Sequence, residues 1–185
     1  MSDELIPLKI APNILADIYR EARNAFPFEC CGWLSGPKDG DEVTVVRACE
    51  NAQASGTHPT EAQRGAERAY VITGDDLLSL YRTLESEMPA RIIFHSHPKW
   101  KRWRWPTFTS WFPILRRLRS TSSGAYLSST DRKVATSPWE DGPAYPVQQL
   151  VVGIDSKRVV EAALFAWSDD EGGFVQIARL DGADV

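Results

Sequence analysis

The sequence predicts an α+β fold, a mainly antiparallel sheet packed by helices. Three observations carry this. Amphipathic helical patterns run over residues 12–26 and from Thr73 onward. Two strand-like runs, 29–36 and 42–49, are joined by the turn-rich Gly36-Pro37-Lys38-Asp39-Gly40. Three further strand patterns, 147–154, 158–167 and 173–180, follow one another to close the chain.

Taken in order, Pro12 suits the first position of a helix, and Ile14, Ile18, Ala22 and Ala25 fall near one face of it. The runs ECCGWLSG and EVTVVRAC then read as strands. Residues 51–66 are polar and turn-rich, as in a surface loop, and a short strand is expected at 69–72. Thr73-Gly74-Asp75-Asp76 reads as a helix start, with Thr73 capping and two acids at the positive end of the dipole. Leu77, Leu80, Tyr81 and Leu84 supply that helix with its apolar face. Arg91-Ile92-Ile93-Phe94 is strand-like and leads into His95-Ser96-His97-Pro98, and Ser128–Ala135 reads as a short helix. Gly172-Gly173 marks the last turn.

At 185 residues the chain has the size of one domain, expected to span 1–185. Its 43% hydrophobic and 25% charged content is that of a globular protein. No apolar run reaches the length of a membrane span, and Met1-Ser2-Asp3-Glu4 lacks the basic-then-apolar shape of a signal peptide. Three cysteines without CxxC spacing argue against a disulfide framework, so a reducing, cytoplasmic compartment is expected. Cys30 and Cys31 read as small buried apolar residues rather than metal ligands, and His58 as a solvated loop histidine.

The net charge of −4 conceals an asymmetry. Residues 99–121 carry seven basic side chains and no acid, which leaves −11 for the rest of the chain. The same segment holds Trp100, Trp103, Trp105 and Trp111, four of the seven tryptophans.

The chemistry concentrates at His95 and His97. On a strand, side chains alternate faces, so the two imidazoles point the same way and Ser96 points oppositely. A carboxylate added to two imidazoles suits zinc, and three protein ligands with a fourth position open is the catalytic pattern. Downstream, Ser128-Ser129-Thr130-Asp131 offers that carboxylate. With Asp131 in the first turn of a helix, Ser128 lies one turn earlier on about the same face, and both can address one site.

HSHP followed by AYLSSTD, with Glu29 in PFECCGWLSG, resembles the JAMM (MPN+) metalloprotease family. Asn51 after the second strand, Arg68-Ala69-Tyr70, and the strand entering HSHP agree with it. The resemblance spans roughly residues 7–180. It implies an MPN-like, cytidine-deaminase-like sheet flanked by helices. It implies that His95, His97 and Asp131 bind one zinc ion with a water in the fourth position. It further implies that Glu29 is the general base and that Ser128 stabilises the oxyanion of the tetrahedral intermediate. The family's substrates are ubiquitin or ubiquitin-like proteins, cleaved near their C-terminal Gly-Gly. For a compact chain the resemblance implies deconjugation of a bacterial ubiquitin-like modifier, or processing of a ubiquitin-like sulfur-carrier protein.

The chain departs from the family at one place. Thirty residues separate His97 from Ser128, where the family has about seven, so 99–121 reads as an inserted segment of 23 residues. Lengthening the gap between the second and third ligands costs only about 1 kcal/mol of closure entropy. A bound zinc is worth on the order of 10 kcal/mol. The segment's mixture of Trp with Lys and Arg suits a lid, a membrane surface or nucleic acid. The competing reading is therefore a catalytically blocked MPN-like scaffold whose 99–121 segment recruits a partner, membrane or nucleic acid. A two-metal HxH hydrolase is disfavoured, because no second His/Asp cluster follows His97.

Overall fold

A computed structural model describes residues 5–55, 65–72, 74–99, 124–137 and 141–185. Thr73, His58 and residues 100–121 of the basic segment lie outside the described residues.

The elements run β1 (Lys9–Ile10), α1 (Pro12–Ala25), β2 (Cys31–Ser35), β3 (Glu42–Val43), β4 (Val45–Cys49), α2 (Ala52–Ser55), α3 (Gly74–Leu84), β5 (Ala90–Pro98), α4 (Ser129–Ala135), β6 (Gln148–Ile154), β7 (Val159–Ser168) and β8 (Gly173–Ala183). Six strands form one sheet in the order β4-β2-β5-β6-β7-β8, while β1 and β3 pair in parallel beside it. Within the large sheet every neighbouring pair is antiparallel except β5 and β6. A parallel pair needs a long crossover, and here the crossover contains α4, which carries Asp131. The expected α+β architecture is what forms.

Alternation along the central strand β5 divides the core. Ile92 and Phe94 face α1 and pack with Ile14, Ile18, Tyr19 and Ala22. Ile93 faces the other way and packs with Trp33 of β2 and Leu80 of α3. Leu127 and Ala135 extend that second layer over Val151, Ala163 and Phe174. At roughly 1.5–3 kcal/mol for each large apolar side chain buried, these layers hold β5 rigid from both faces. Gly32 is required where β2 passes the Phe94 ring, because an added Cβ would stand 2.8 Å from that ring and 2.2 Å from the Arg47 carbonyl oxygen.

Three expectations need correction. Residues 69–72 form no strand. Their backbone groups bond to the side chain of Asn51 and to Ala52 rather than to a ladder: Asn51 Nδ2 donates to the Ala69 carbonyl, Asn51 Oδ1 accepts from the Val71 N–H, and the Ala52 N–H donates to the Val71 carbonyl. The expected strand 42–49 is divided at Thr44, whose N–H turns to the Ser35 carbonyl, so β3 pairs with β1 and β4 with β2. The expected loop 51–66 begins with the short helix α2, and residues 56–64 of it lie outside the described residues.

Candidate metal centre

His95 and His97 project from one face of β5, as alternation requires, while Ser96 turns to the opposite side. There its Oγ accepts from the Cys30 N–H at 2.9 Å. Asp131 reaches the histidines from the first turn of α4. His95 Nε2 and His97 Nε2 lie 3.2 Å apart. Asp131 Oδ2 is 3.4 Å from the first and 3.2 Å from the second. The three atoms make a nearly equilateral triangle. Ligands about 2.0–2.1 Å from one tetrahedral zinc stand roughly 3.3–3.4 Å from one another. The edges therefore fit a single ion of that size.

Hydrogen bonding points the same way. His97 Nδ1 lies 2.9 Å from the Gly124 carbonyl oxygen and donates to it, which leaves the Nε2 lone pair aimed at Asp131 Oδ2. Two lone pairs meeting at 3.2 Å need a proton or a metal ion between them. His95 Nδ1 is buried and has no hydrogen-bond partner among the described residues. A proton on that atom directs the second imidazole lone pair into the same triangle. His95, His97 and Asp131 are thus a candidate metal-binding group.

The group's proton affinities reflect this crowding. Burial lowers His95, against the opposing pull of Asp131. Burial also acts to lower His97, but the Asp131 hydrogen bond, the Glu29 and Asp131 charges and the Gly124 carbonyl together raise it. Asp131 is penalised by burial, yet the two adjoining imidazoles hold it well below the usual carboxylate range.

Two supports hold the candidate ligands in place. Ser128 caps α4 and exchanges hydrogen bonds with Asp131. The Ser128 N–H donates to Asp131 Oδ2 at 2.7 Å, so the carboxylate cannot swing freely. Gly124 holds His97 from behind at φ +91°, a conformation that favours glycine, and an added Cβ there would sit 3.0 Å from the Lys99 side chain. The chain thus leaves β5 at Lys99 and re-emerges at Gly124 next to the same histidine. Lys99 and Gly124, the described residues on either side of 100–123, lie close to each other.

A polar cleft of about 380 Å³ opens onto the group, lined by Glu29, Arg68, His97, Tyr126 and Ser128 among others. The His95 side chain is fully buried, whereas His97 and Asp131 keep 13% and 11% exposure, so the approach is from their side. Glu29 is 5% exposed, its backbone N–H bonds to the Ala66 carbonyl at 2.8 Å, and its own carbonyl accepts from Asn51 Nδ2 at 2.9 Å. The structure therefore brings Glu29, Ser128 and His97 to one cleft, with Asp131 touching His97 from α4. Cys30 and Cys31 do not belong to it: both are buried. Burial pushes Cys30 up to about 12 and Cys31 higher still. Glu29 and Cys30 precede β2, so strand alternation does not govern them.

Sequence reasoning gave no role to Asn51, Tyr70 or Gly124. Asn51 makes four hydrogen bonds, to Glu29, Ala69, Gln53 and Val71. Tyr70 stacks on the His95 ring with centroids 4.5 Å apart. In the sequence Asn51 and Tyr70 stand out only as agreeing with the family resemblance, because most of these contacts cross long sequence separations.

Residues 12–102 match the family model of prokaryotic homologues of the JAB domain. That span of the chain is similar to the JAB domain. The JAB match includes Glu29, His95 and His97 and ends within the basic segment. Asp131 lies beyond it and is brought to the two histidines by α4. No curated protein matches the chain in sequence. Among solved structures, a Desulfitobacterium hafniense protein determined in solution is similar over 92% of this chain and 89% of its own, with 18% identity and a TM-score of 0.55. A Salinibacter ruber protein, also determined in solution, covers the same shares at 23% identity and a TM-score of 0.52. At these identities the likeness is one of fold. Among the described residues no helix is long and apolar enough to cross a membrane.

Proposed function

We propose that this protein is a zinc-dependent peptidase or isopeptidase that cleaves at the C-terminus of ubiquitin-like proteins in the cytoplasm. The observation that carries the reading is the ligand triangle of His95 Nε2, His97 Nε2 and Asp131 Oδ2, with edges of 3.2–3.4 Å, facing a cleft that also holds Glu29 and Ser128. A zinc ion held by these three residues supplies Lewis acidity and lowers the pKa of a water toward 7.

The remaining chemistry belongs to the chain. Glu29, buried at the cleft wall, acts as the general base that takes a proton from the attacking water and returns it to the leaving amine. The Ser128 hydroxyl oxygen accepts from the Asp131 N–H, which leaves its hydrogen free to donate to the carbonyl oxygen as negative charge develops there. An extended substrate tail pairs with a strand edge; β4 is the outer strand nearer to the ligands. The substrate is a bacterial ubiquitin-like modifier awaiting deconjugation, or a sulfur-carrier protein awaiting processing. The family resemblance supports that choice.

Incubation with a ubiquitin-like protein extended past its C-terminal Gly-Gly tests this. Cleavage is expected after Gly-Gly, is abolished by a chelator, is restored by zinc, and is lost in Glu29→Ala. Stoichiometric zinc without cleavage of peptide or isopeptide substrates would instead favour a blocked scaffold.

A further inference from the structure

The structure assigns to Tyr70 the positioning of the His95 ring, an inference that rests on reading His95 as a metal ligand. The two histidines are held by different means. His97 is oriented by a hydrogen bond from Nδ1 to the Gly124 carbonyl, the arrangement by which ligating imidazoles are usually fixed. His95 has no counterpart, since its Nδ1 is buried without a partner among the described residues. Its backbone is locked in β5 between Cys31 and Val151. Rotation of the imidazole remains, and that rotation moves Nε2 out of the triangle.

Tyr70 lies against this ring nearly face to face, with centroids 4.5 Å apart and planes 22° apart. His97, by comparison, is tilted by 59° and meets the imidazole obliquely. A parallel aromatic surface at this distance is a favourable contact that rotation of the imidazole would break. The position of Tyr70 comes from its own segment. Asn51 grips the residues on either side of it, donating to the Ala69 carbonyl at 3.1 Å and accepting from the Val71 N–H at 3.2 Å. A cavity of about 130 Å³, lined by Tyr70, Leu77, Leu80, Ile93, Val134 and Tyr145 among others, opens beside the ring. The backbone grip of Asn51 on both flanking residues therefore helps to set where the ring stands. The same Asn51 amide also bonds the Glu29 carbonyl, so one side chain aligns the general base and the clamp on the first ligand.

Stacking uses the face of the ring and not the hydroxyl, so Tyr70→Phe keeps the function and Tyr70→Leu removes it. Zinc affinity is measured by competition with a chromogenic chelator, and site symmetry by the visible spectrum of the cobalt-loaded protein. Loss of an outer support lowers metal affinity about 10- to 100-fold. That loss is expected in Tyr70→Leu, with an altered cobalt spectrum, while Tyr70→Phe stays within about threefold of wild type. Zinc binding by Tyr70→Leu within threefold of wild type, or an equal fall in both variants, would overturn the assignment. A metal-free readout separates this from the metal reading itself. The His95 ring protons are shifted upfield by the stacked aromatic in wild type and Tyr70→Phe, and lose that shift in Tyr70→Leu. Shifts alike in all three proteins overturn the clamp. A wild type that binds neither ion while showing the shift overturns the metal reading alone.

Discussion

Ser128 and Asp131 bind each other through two hydrogen bonds: the Ser128 N–H donates to Asp131 Oδ2 at 2.7 Å, and the Asp131 N–H donates to Ser128 Oγ at 3.2 Å. The pair closes the first turn of α4 as a capping box. It also fixes the oxygen that faces both histidines. One local motif thus starts a helix and aims a ligand.

Ser128→Ala separates the two tasks of that residue. Losing the side-chain cap costs about 1 kcal/mol of stability. The backbone bond that orients Asp131 survives, so zinc affinity changes little. If the hydroxyl also meets the developing oxyanion, kcat falls by about 10²–10³. Thermal melting and steady-state kinetics on one preparation measure both. A kcat that tracks only the folded fraction would leave Ser128 as a helix cap and nothing more.

Zinc affinity falls as the pH drops, with a slope that reveals which ligand carries the proton. Without metal, His97 is raised by Asp131 and Glu29 in spite of burial, whereas burial keeps His95 lowered and Asp131 stays ionised. Below the folded pKa of His97 a zinc ion therefore displaces one proton, and affinity drops about tenfold per pH unit. Titrations between pH 7.5 and 5.5 read this directly. A drop of about a hundredfold per unit over that range would mean that both imidazoles are protonated.

The cysteines are expected to be inert. Burial pushes Cys30 and Cys49 up to about 12 and Cys31 further, so the thiolate population at neutral pH is negligible. A disulfide reagent at pH 8 leaves Cys30 and Cys31 unmodified until denaturant is added. Zinc content is unchanged in Cys31→Ala. Loss of zinc in that variant would put a thiolate into the centre.

Much of this was legible in the chain. The alternation of His95 and His97, the amphipathic face of α1 and the Ser-x-x-Asp spacing are local patterns, and local patterns survive folding when packing agrees with them. What escaped depends on distant partners. Residues 69–72 have strand-like side chains, but Asn51 captures their backbone groups. Likewise nothing near Gly124 in sequence announces that its carbonyl will meet His97 across a separation of 27 residues. The placement of Glu29 was legible only through the family resemblance, because it lies just before β2, where alternation gives no guidance.

Segment 99–121 is expected to be dispensable for metal binding. A Cβ added at Gly124 would stand 3.5 Å from the His97 carbonyl oxygen, so Gly124 lies close to the end of β5 and a short Gly-Ser bridge can join the two at a closure cost near 1 kcal/mol or less. Zinc stoichiometry should survive the deletion. A large rise in cleavage would identify the segment as a lid, and a loss would identify it as a contact for substrate, membrane or nucleic acid. Failure of the shortened protein to bind zinc would show that the segment helps to build the centre.

X-ray absorption of the zinc-loaded protein tests the ligand triangle most directly. One zinc per chain is expected, with nitrogen and oxygen neighbours at about 2.0–2.1 Å, an imidazole signature from two histidines and no sulfur near 2.3 Å. In His97→Ala and Asp131→Ala the tightly held zinc should disappear. Sulfur in the coordination shell, or full zinc retention after removal of either residue, would contradict a centre built from His95, His97 and Asp131.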